Sequence, residues 1–153
     1  MVVAAGALLA AGGFVATRHQ KDTLDRAVAT SCAQAATFKR TQQPPPGLPP
    51  RYDIFGDFAT VATIQIKALE HVTPPPERAA LHSRLLAGER QLLALTQQGE
   101  AIIGPYTQRG DFAGVARSGA MAEAMPLVQS LISQSKTLDG VFEENFGIKH
   151  RAD

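Results

Sequence analysis

Apolar residues open the chain without a break. Residues 2–17 carry no charge, and Arg18-His19-Gln20-Lys21-Asp22 follows directly. As a helix this run rises about 24 Å at ~1.5 Å per residue. That lies between a signal-peptide core and a helix crossing the ~30 Å hydrocarbon layer. The expectation is a transmembrane or signal-anchor segment over residues 1–17. Within it Gly6/Ala10 and Gly12/Ala16 stand four apart, a spacing that lets a second membrane helix approach closely. A buried core helix of a soluble protein is the competing reading, and it suffers from the lack of any polar face to meet water. Beyond the run, Leu24, Val28, Ser31, Ala35 and Phe38 recur at steps of three and four. This predicts that the same helix continues outside the membrane through residues 18–43.

The sequence PPPGLPP at 44–50 ends that helix, because proline removes backbone donors and the residue before it avoids helical dihedrals. A stiff linker over 44–52 is expected. Asp53 suits the N-cap of a second helix reaching about His71. Phe55, Phe58, Ala62, Gln65 or Ile66, Leu69 and Val72 lie on one side of it. Ile54, Val61, Ile64 and Ala68 add a second apolar stripe, so this helix is expected at the centre. After Thr73-Pro74-Pro75-Pro76-Glu77, a third helix places Leu81, Leu85, Gly88, Leu92, Leu95, Gly99 and Ile102 on a heptad seam, where Gly88 and Gly99 permit close approach of a partner backbone. Pro105 should kink its end, with Gly110 as stop and Asp111 as the next cap.

A fourth helix is predicted from Phe112 to about Phe146, bent at Pro126. Val115, Gly119, Ala122, Met125, Val128 or Gln129, Ile132, Leu138 and Phe142 should face inward. Residues 147–153 read as a frayed tail. No segment alternates as a strand. The predicted fold is therefore all-α, an N-terminal membrane helix continuing into an antiparallel four-helix bundle with its core over 53–146.

At 153 residues the chain holds one domain. Its 15 Lys and Arg against 14 Asp and Glu create no field to gather nucleic acid, so no nucleic-acid partner is expected. One cysteine, Cys32, excludes a disulfide framework within the chain and a cysteine metal cage. It reads as a small half-buried helix residue, or as the source of a disulfide to a second molecule. The histidines His19, His71, His82 and His150 are scattered, with no Glu-x-x-His or His-Glu-x-x-His spacing. No nucleophile elbow or phosphate loop occurs. Hence no catalytic residue, metal or cofactor is expected. Glu77, Arg78, Arg84, Glu89, Arg90 and Glu100 read as mixed-sign outward faces of helix three. Met121 and Met125 read as core filling, with a pliable groove as the rival assignment.

The run from Leu69 through His71-Val72-Thr73-Pro74-Pro75-Pro76-Glu77-Arg78-Ala79, the leucine seam, Arg109-Gly110-Asp111 and the closing Phe146-Gly147-Ile148 resembles small exported helical proteins of high-GC actinobacteria. Arg exceeding Lys by ten to five agrees with such a genome. The resemblance spans residues 24–150 and implies an envelope location and no established reaction. Members carry a second cysteine after the final Gly-hydrophobic pair, where this chain has Lys149 and His150.

These features point to a non-enzymatic, membrane-tethered helical bundle, an accessory subunit or interaction module of the cell envelope. Membrane lipid and a protein partner, or a second copy, are the expected contacts, through Gly6, Ala10, Gly12, Ala16, Gly88 and Gly99. The alternative is a sensor-like domain holding a small ligand near Gly88, Gly99 and Gly119. Arg18, Lys21 and Arg26 follow the apolar run and, by the positive-inside rule, favour a cytoplasmic body. The missing basic stretch before the run reads instead as a late start, and the body is then expected on the extracytoplasmic side of a single-pass anchor.

Overall fold

The computed structural model describes residues 6–42 and 54–149, with side chains from Thr23 onward other than that of Phe112. The Pro-rich linker, the Asp53 cap and residues 150–153 lie outside the described residues. The elements are α1 (Gly6–Gln42), α2 (Ile54–Glu70), a 3-10 turn (Pro76–Arg78), α3 (Ala79–Thr107), α4 (Phe112–Arg117) and α5 (Ala120–Phe146). No strand occurs among the described residues, and the molecule is all-α.

Four contacts set the register. Ser31 of α1 meets Gln65 of α2, and Ala35 packs with Val61 one turn on, so these helices are antiparallel. His82, early in α3, reaches the carbonyl of Leu69 late in α2. Gly99, late in α3, lies against Phe55 at the start of α2. Gly88 lies against Leu138 of α5, while Arg78 stacks on Phe146 at the far end of that helix. Neighbours thus follow chain order: α2 packs on α1 and α3, and α3 packs on α2 and α5. The central place predicted for α2 alone is shared with α3.

One apolar core joins the helices. Leu24, Val28, Phe55, Leu69, Leu85, Leu92, Leu131 and Phe142 are all at most 2% exposed. Each such side chain contributes roughly 1.5–3 kcal/mol when fully buried. The leucine seam of α3 is present but broader than predicted. Leu85, Gly88, Leu92 and Gly99 are buried, Leu81, Leu95 and Ile102 are half-buried, and Glu89, Thr96 and Ile103 are buried as well. Two packed neighbours demand a wider inward arc than one heptad stripe provides. Glu89, read from sequence as outward, is completely buried. Arg78, also read as outward, is only 11% exposed and pairs with Asp25.

The predicted fourth helix is two helices. Gly110 at φ 69° ends the α3 connection, and the Asp111 carboxylate accepts from the Gly114 amide at 2.8 Å, capping α4 as expected. The chain then breaks at Gly119, whose φ of 77° suits glycine and stops α4 after Arg117. Pro126 lies within α5, which continues through it to Phe146. The break resets the helical phase. Ala120, Ala124, Leu131, Leu138, Val141 and Phe142 face inward, whereas Gly119, Ala122, Met125 and Ile132 are exposed. Met121, also read as core filling, is 47% exposed. At the C-terminal end, Gly147 adopts φ 71° and the Ile148 amide bonds back to the Phe142 carbonyl, so that Ile148 is half-buried against the core.

Among the described residues no helix is long and apolar enough to cross a membrane. Residues 1–5 of the expected segment lie outside the described residues; within α1 the uncharged part runs from Gly6 to Thr17, and Arg18, Lys21 and Asp22 follow. A span needs about 20 consecutive apolar residues.

Candidate functional site

The α1–α2 seam carries the densest polar chemistry. Ser31, Cys32 and Gln65 are all buried where these helices cross. Ser31 Oγ lies 2.7 Å from Gln65 Oε1 and 2.9 Å from the Val28 carbonyl. A hydroxyl has one proton to donate, so the two acceptors compete for it. The Gln65 amide nitrogen donates to Cys32 Sγ at 3.5 Å. Leaving such an amide buried without partners costs about 1–3 kcal/mol. The trio therefore fixes the axial position of α1 on α2. Cys32 is 7% exposed and sits inside this contact. A disulfide to a second molecule would require the seam to open.

On the outer side of Ser31 the same two helices leave a groove of about 480 Å³. Small side chains make the space, with Ala27 on α1 and Ala68 on α2 flanking Ile64 as an apolar floor. Arg26, Lys67 and His71 line it, each exposed to solvent. Thr30 and Gln34 supply neutral polar groups further along α1. The neighbouring carboxylates are engaged elsewhere. Glu70 accepts from Arg90 at 2.8 Å, and Asp25 binds Arg78. Neither Arg26 nor Lys67 has an ion-pair partner among the described residues. His71 Nδ1 is 2.6 Å from the Lys67 carbonyl, which assigns the ring proton to Nδ1 as donor and leaves Nε2 as the second polar atom of the ring. Among the described residues the groove thus offers two cations without an ion-pair partner and an imidazole beside an apolar floor, and no described carboxylate lines it.

Two other concavities offer less. One of about 310 Å³ between α2 and α3 is lined by Phe55, Thr96 and Glu100, among others. Another of about 370 Å³ lies between Asp25 and Ala29 of α1 and Asn145, Phe146 and Ile148. No group of three or more His, Cys, Asp or Glu residues able to hold a metal occurs among the described residues. The His82 ring is tied to the Leu69 carbonyl at 2.8 Å.

The glycines singled out from sequence are used within the chain. A β-carbon at Gly88 would fall 2.5 Å from Leu138 Cδ2, and one at Gly99 would fall 2.0 Å from the Phe55 ring. Close approach is the correct reading, but α5 and α2 occupy the two sites, so neither is open to an outside partner or a ligand. Gly119 is a turn residue at the surface. Gly6, Ala10, Gly12 and Ala16 lie within α1, and their surroundings fall outside the described residues. At 3.6 residues per turn, positions 12 and 16 share the helix face of Thr30 and Gln34. Positions 6 and 10 share the face of Leu24 and Val28.

Nothing in the sequence alone brings Arg26, Lys67 and His71 together, because the groove joins segments about forty residues apart in the chain. A signal exists in each half. Thr23, Arg26, Ala27, Thr30 and Gln34 recur at helical spacing, as do Ile64, Lys67, Ala68 and His71, and each set mixes small residues with cations. No family model matches the chain, and comparison with curated proteins and solved structures gave no match.

Proposed function

We propose that the protein is a non-enzymatic helical module held at a membrane by the apolar start of α1, with its body on the extracytoplasmic side as an accessory subunit of an envelope complex. One observation carries this reading: the length of α1 against the elements that cover it. With Ser31 opposite Gln65, the 17 residues of α2 can lie beside only residues 26–42 of the 37-residue α1. The remaining elements close off at the same level, where Arg78 pairs with Asp25 and Phe146 and Ile148 border Asp25 and Ala29. Among the described residues no further element of matching length is left to cover the uncharged residues 6–17 of α1. A helix stretch apolar on all sides calls for lipid or another apolar surface. Its rise of about 18 Å exceeds half of the ~30 Å hydrocarbon layer and serves anchoring in one leaflet.

Flotation of the full chain with phosphatidylcholine vesicles tests the tether. The wild type should rise with the vesicles, and Leu9→Glu/Val15→Glu should remain in the load fraction with unchanged helical circular dichroism. A wild-type chain that stays in the load fraction refutes the anchor.

A second reading, a ligand-binding helical domain, is favoured by the Arg26-lined groove, although the site sits on the α1–α2 seam and not at the glycines first singled out.

A further inference from the structure

The groove between α1 and α2 matches an anionic amphiphile in three independent respects. The first is charge. Arg26, Lys67 and His71 converge from two helices, while the adjacent carboxylates Asp25 and Glu70 are turned to Arg78 and Arg90. Among the described side chains that line the groove an anion meets no like charge, and Arg and Lys are the usual ligands of phosphate oxygens. The second is the floor. Ala27, Ile64 and Ala68 present carbon surface that a purely inorganic anion would leave unused. The third is position. Arg26 follows Thr17 by nine residues, ~14 Å of helix rise. The headgroup region adds about 5–8 Å on each side of the hydrocarbon layer, so a lipid held here is lifted out of that region next to the anchor. In the antiparallel register, Arg26 and His71 share the near end, with Lys67 one turn further away.

We propose that this groove binds the headgroup of an anionic phospholipid drawn from the bilayer in which α1 is anchored. Arg26 and Lys67 take the phosphate, His71 Nε2 contacts the polar headgroup, and the glycerol and ester carbons lie over Ala27 and Ala68. The proposal rests on the membrane-tether reading for the source of the lipid. It turns a non-specific anchor into one that selects the lipid beside it and fixes the rotation of α1 about its axis at the surface.

The test uses the full chain in dodecyl maltoside, titrated calorimetrically with dihexanoyl phosphatidylglycerol, dihexanoyl phosphatidylcholine or inorganic phosphate. Phosphatidylglycerol should bind at least tenfold tighter than either of the others. Arg26→Ala/Lys67→Ala should lose that preference by tenfold or more. Arg84→Ala/Lys136→Ala, which removes the same charge from exposed positions outside the groove, should keep it. All four side chains are exposed, so both variants should melt with the wild type. Equal affinity for the two lipids, or an unaffected groove variant, overturns the proposal. Phosphate binding as tightly as phosphatidylglycerol also overturns it, in favour of a site for a free anion. Flotation on phosphatidylcholine alone reads the tether separately. A chain that floats yet shows no headgroup preference loses only this inference, and one that does not float loses the anchor and with it the lipid source.

Discussion

Gly99 and Phe55 are packed so closely that a β-carbon on the glycine would stand 2.0 Å from Cε1 of the ring. Phe55 is 2% exposed, so the ring has little room to withdraw. This contact sets the separation of α2 and α3 at one end of the core. Gly99→Ala should therefore destabilise despite alanine's better helix propensity. Overpacking costs about 1–3 kcal/mol and the propensity gain offsets ~1 kcal/mol. Gly140 is the control, since nothing lies within 4 Å of a β-carbon built there. Gly140→Ala should stabilise by roughly 0.5–1 kcal/mol. Thermal melts should move in opposite directions, by about 2–4 °C per kcal/mol in a chain of this size. A Gly99→Ala protein as stable as the wild type would mean that α2 and α3 are not in contact at this point.

The Ser31–Gln65 bond lends itself to a double-mutant cycle. Ser31→Ala removes the donor to Gln65 Oε1 and leaves a buried carbonyl unpaired, at a cost of about 1–3 kcal/mol. Gln65→Leu should cost less than its buried volume suggests, because Ser31 keeps the Val28 carbonyl at 2.9 Å. The double variant Ser31→Ala/Gln65→Leu should be more stable than the sum of the two losses predicts. Contacting residues of this kind typically couple by 0.5–3 kcal/mol. Urea denaturation of the four proteins measures the coupling, and strict additivity would place the two side chains out of contact.

The helices were legible from the chain because their inward positions repeat at 3.6-residue spacing and their ends carry glycine, proline and aspartate. Leu24, Val28 and Ala35 face the core as the pattern of α1 predicts, and Asp111 caps α4. What stayed hidden depends on partners. Glu89 follows a buried leucine by four positions and precedes another by three, yet its charge argues for solvent; it is buried on α3, a helix that packs against both α2 and α5. The cationic groove was equally illegible, since neither Arg26 nor Lys67 has meaning until the two helices are set in register by Ser31 and Gln65. The glycines of the seam show a third kind of gap. Spacing reveals that something approaches Gly88 and Gly99, but not whether it is the same chain.

Arg78 ties three segments together at the end of the core nearest the start of α1. It pairs with Asp25 of α1 and lies 4.8 Å from the ring centroid of Phe146 in α5. The Arg78 side chain is 11% exposed and that of Asp25 is 45% exposed, so water screens the ion pair more than the stacking. An ion pair with a partly exposed partner contributes about 0–1 kcal/mol, and a desolvated cation–π contact contributes up to ~2 kcal/mol. Arg78→Ala should then cost about 1–3 kcal/mol, and Asp25→Asn under ~1 kcal/mol. Arg78→Lys should fall between them, because it keeps the charge but loses the planar group that stacks. Urea midpoints order the three. An Asp25→Asn loss equal to that of Arg78→Ala would assign the stabilisation to the ion pair instead.

Adjacent positions on α5 distinguish the observed phase from the one the uninterrupted pattern implies. Leu131 is fully buried and Ile132 is 43% exposed, the reverse of the inward assignment of Ile132. The cause is Gly119, whose left-handed conformation separates α4 from α5 and starts a new helical phase at Ala120. Leu131→Ala should cost about 2–5 kcal/mol, the range for truncating a core leucine. Ile132→Ala should change stability by no more than about 0.5 kcal/mol, as most surface substitutions do. Met125→Ala, one face with Ile132 and 43% exposed, should behave like Ile132→Ala. Guanidinium or thermal denaturation of the three variants reads the phase directly. A large loss at Ile132 with a small one at Leu131 would show that α4 and α5 form one continuous helix turned the other way, which would also remove Gly119 as the turn between them.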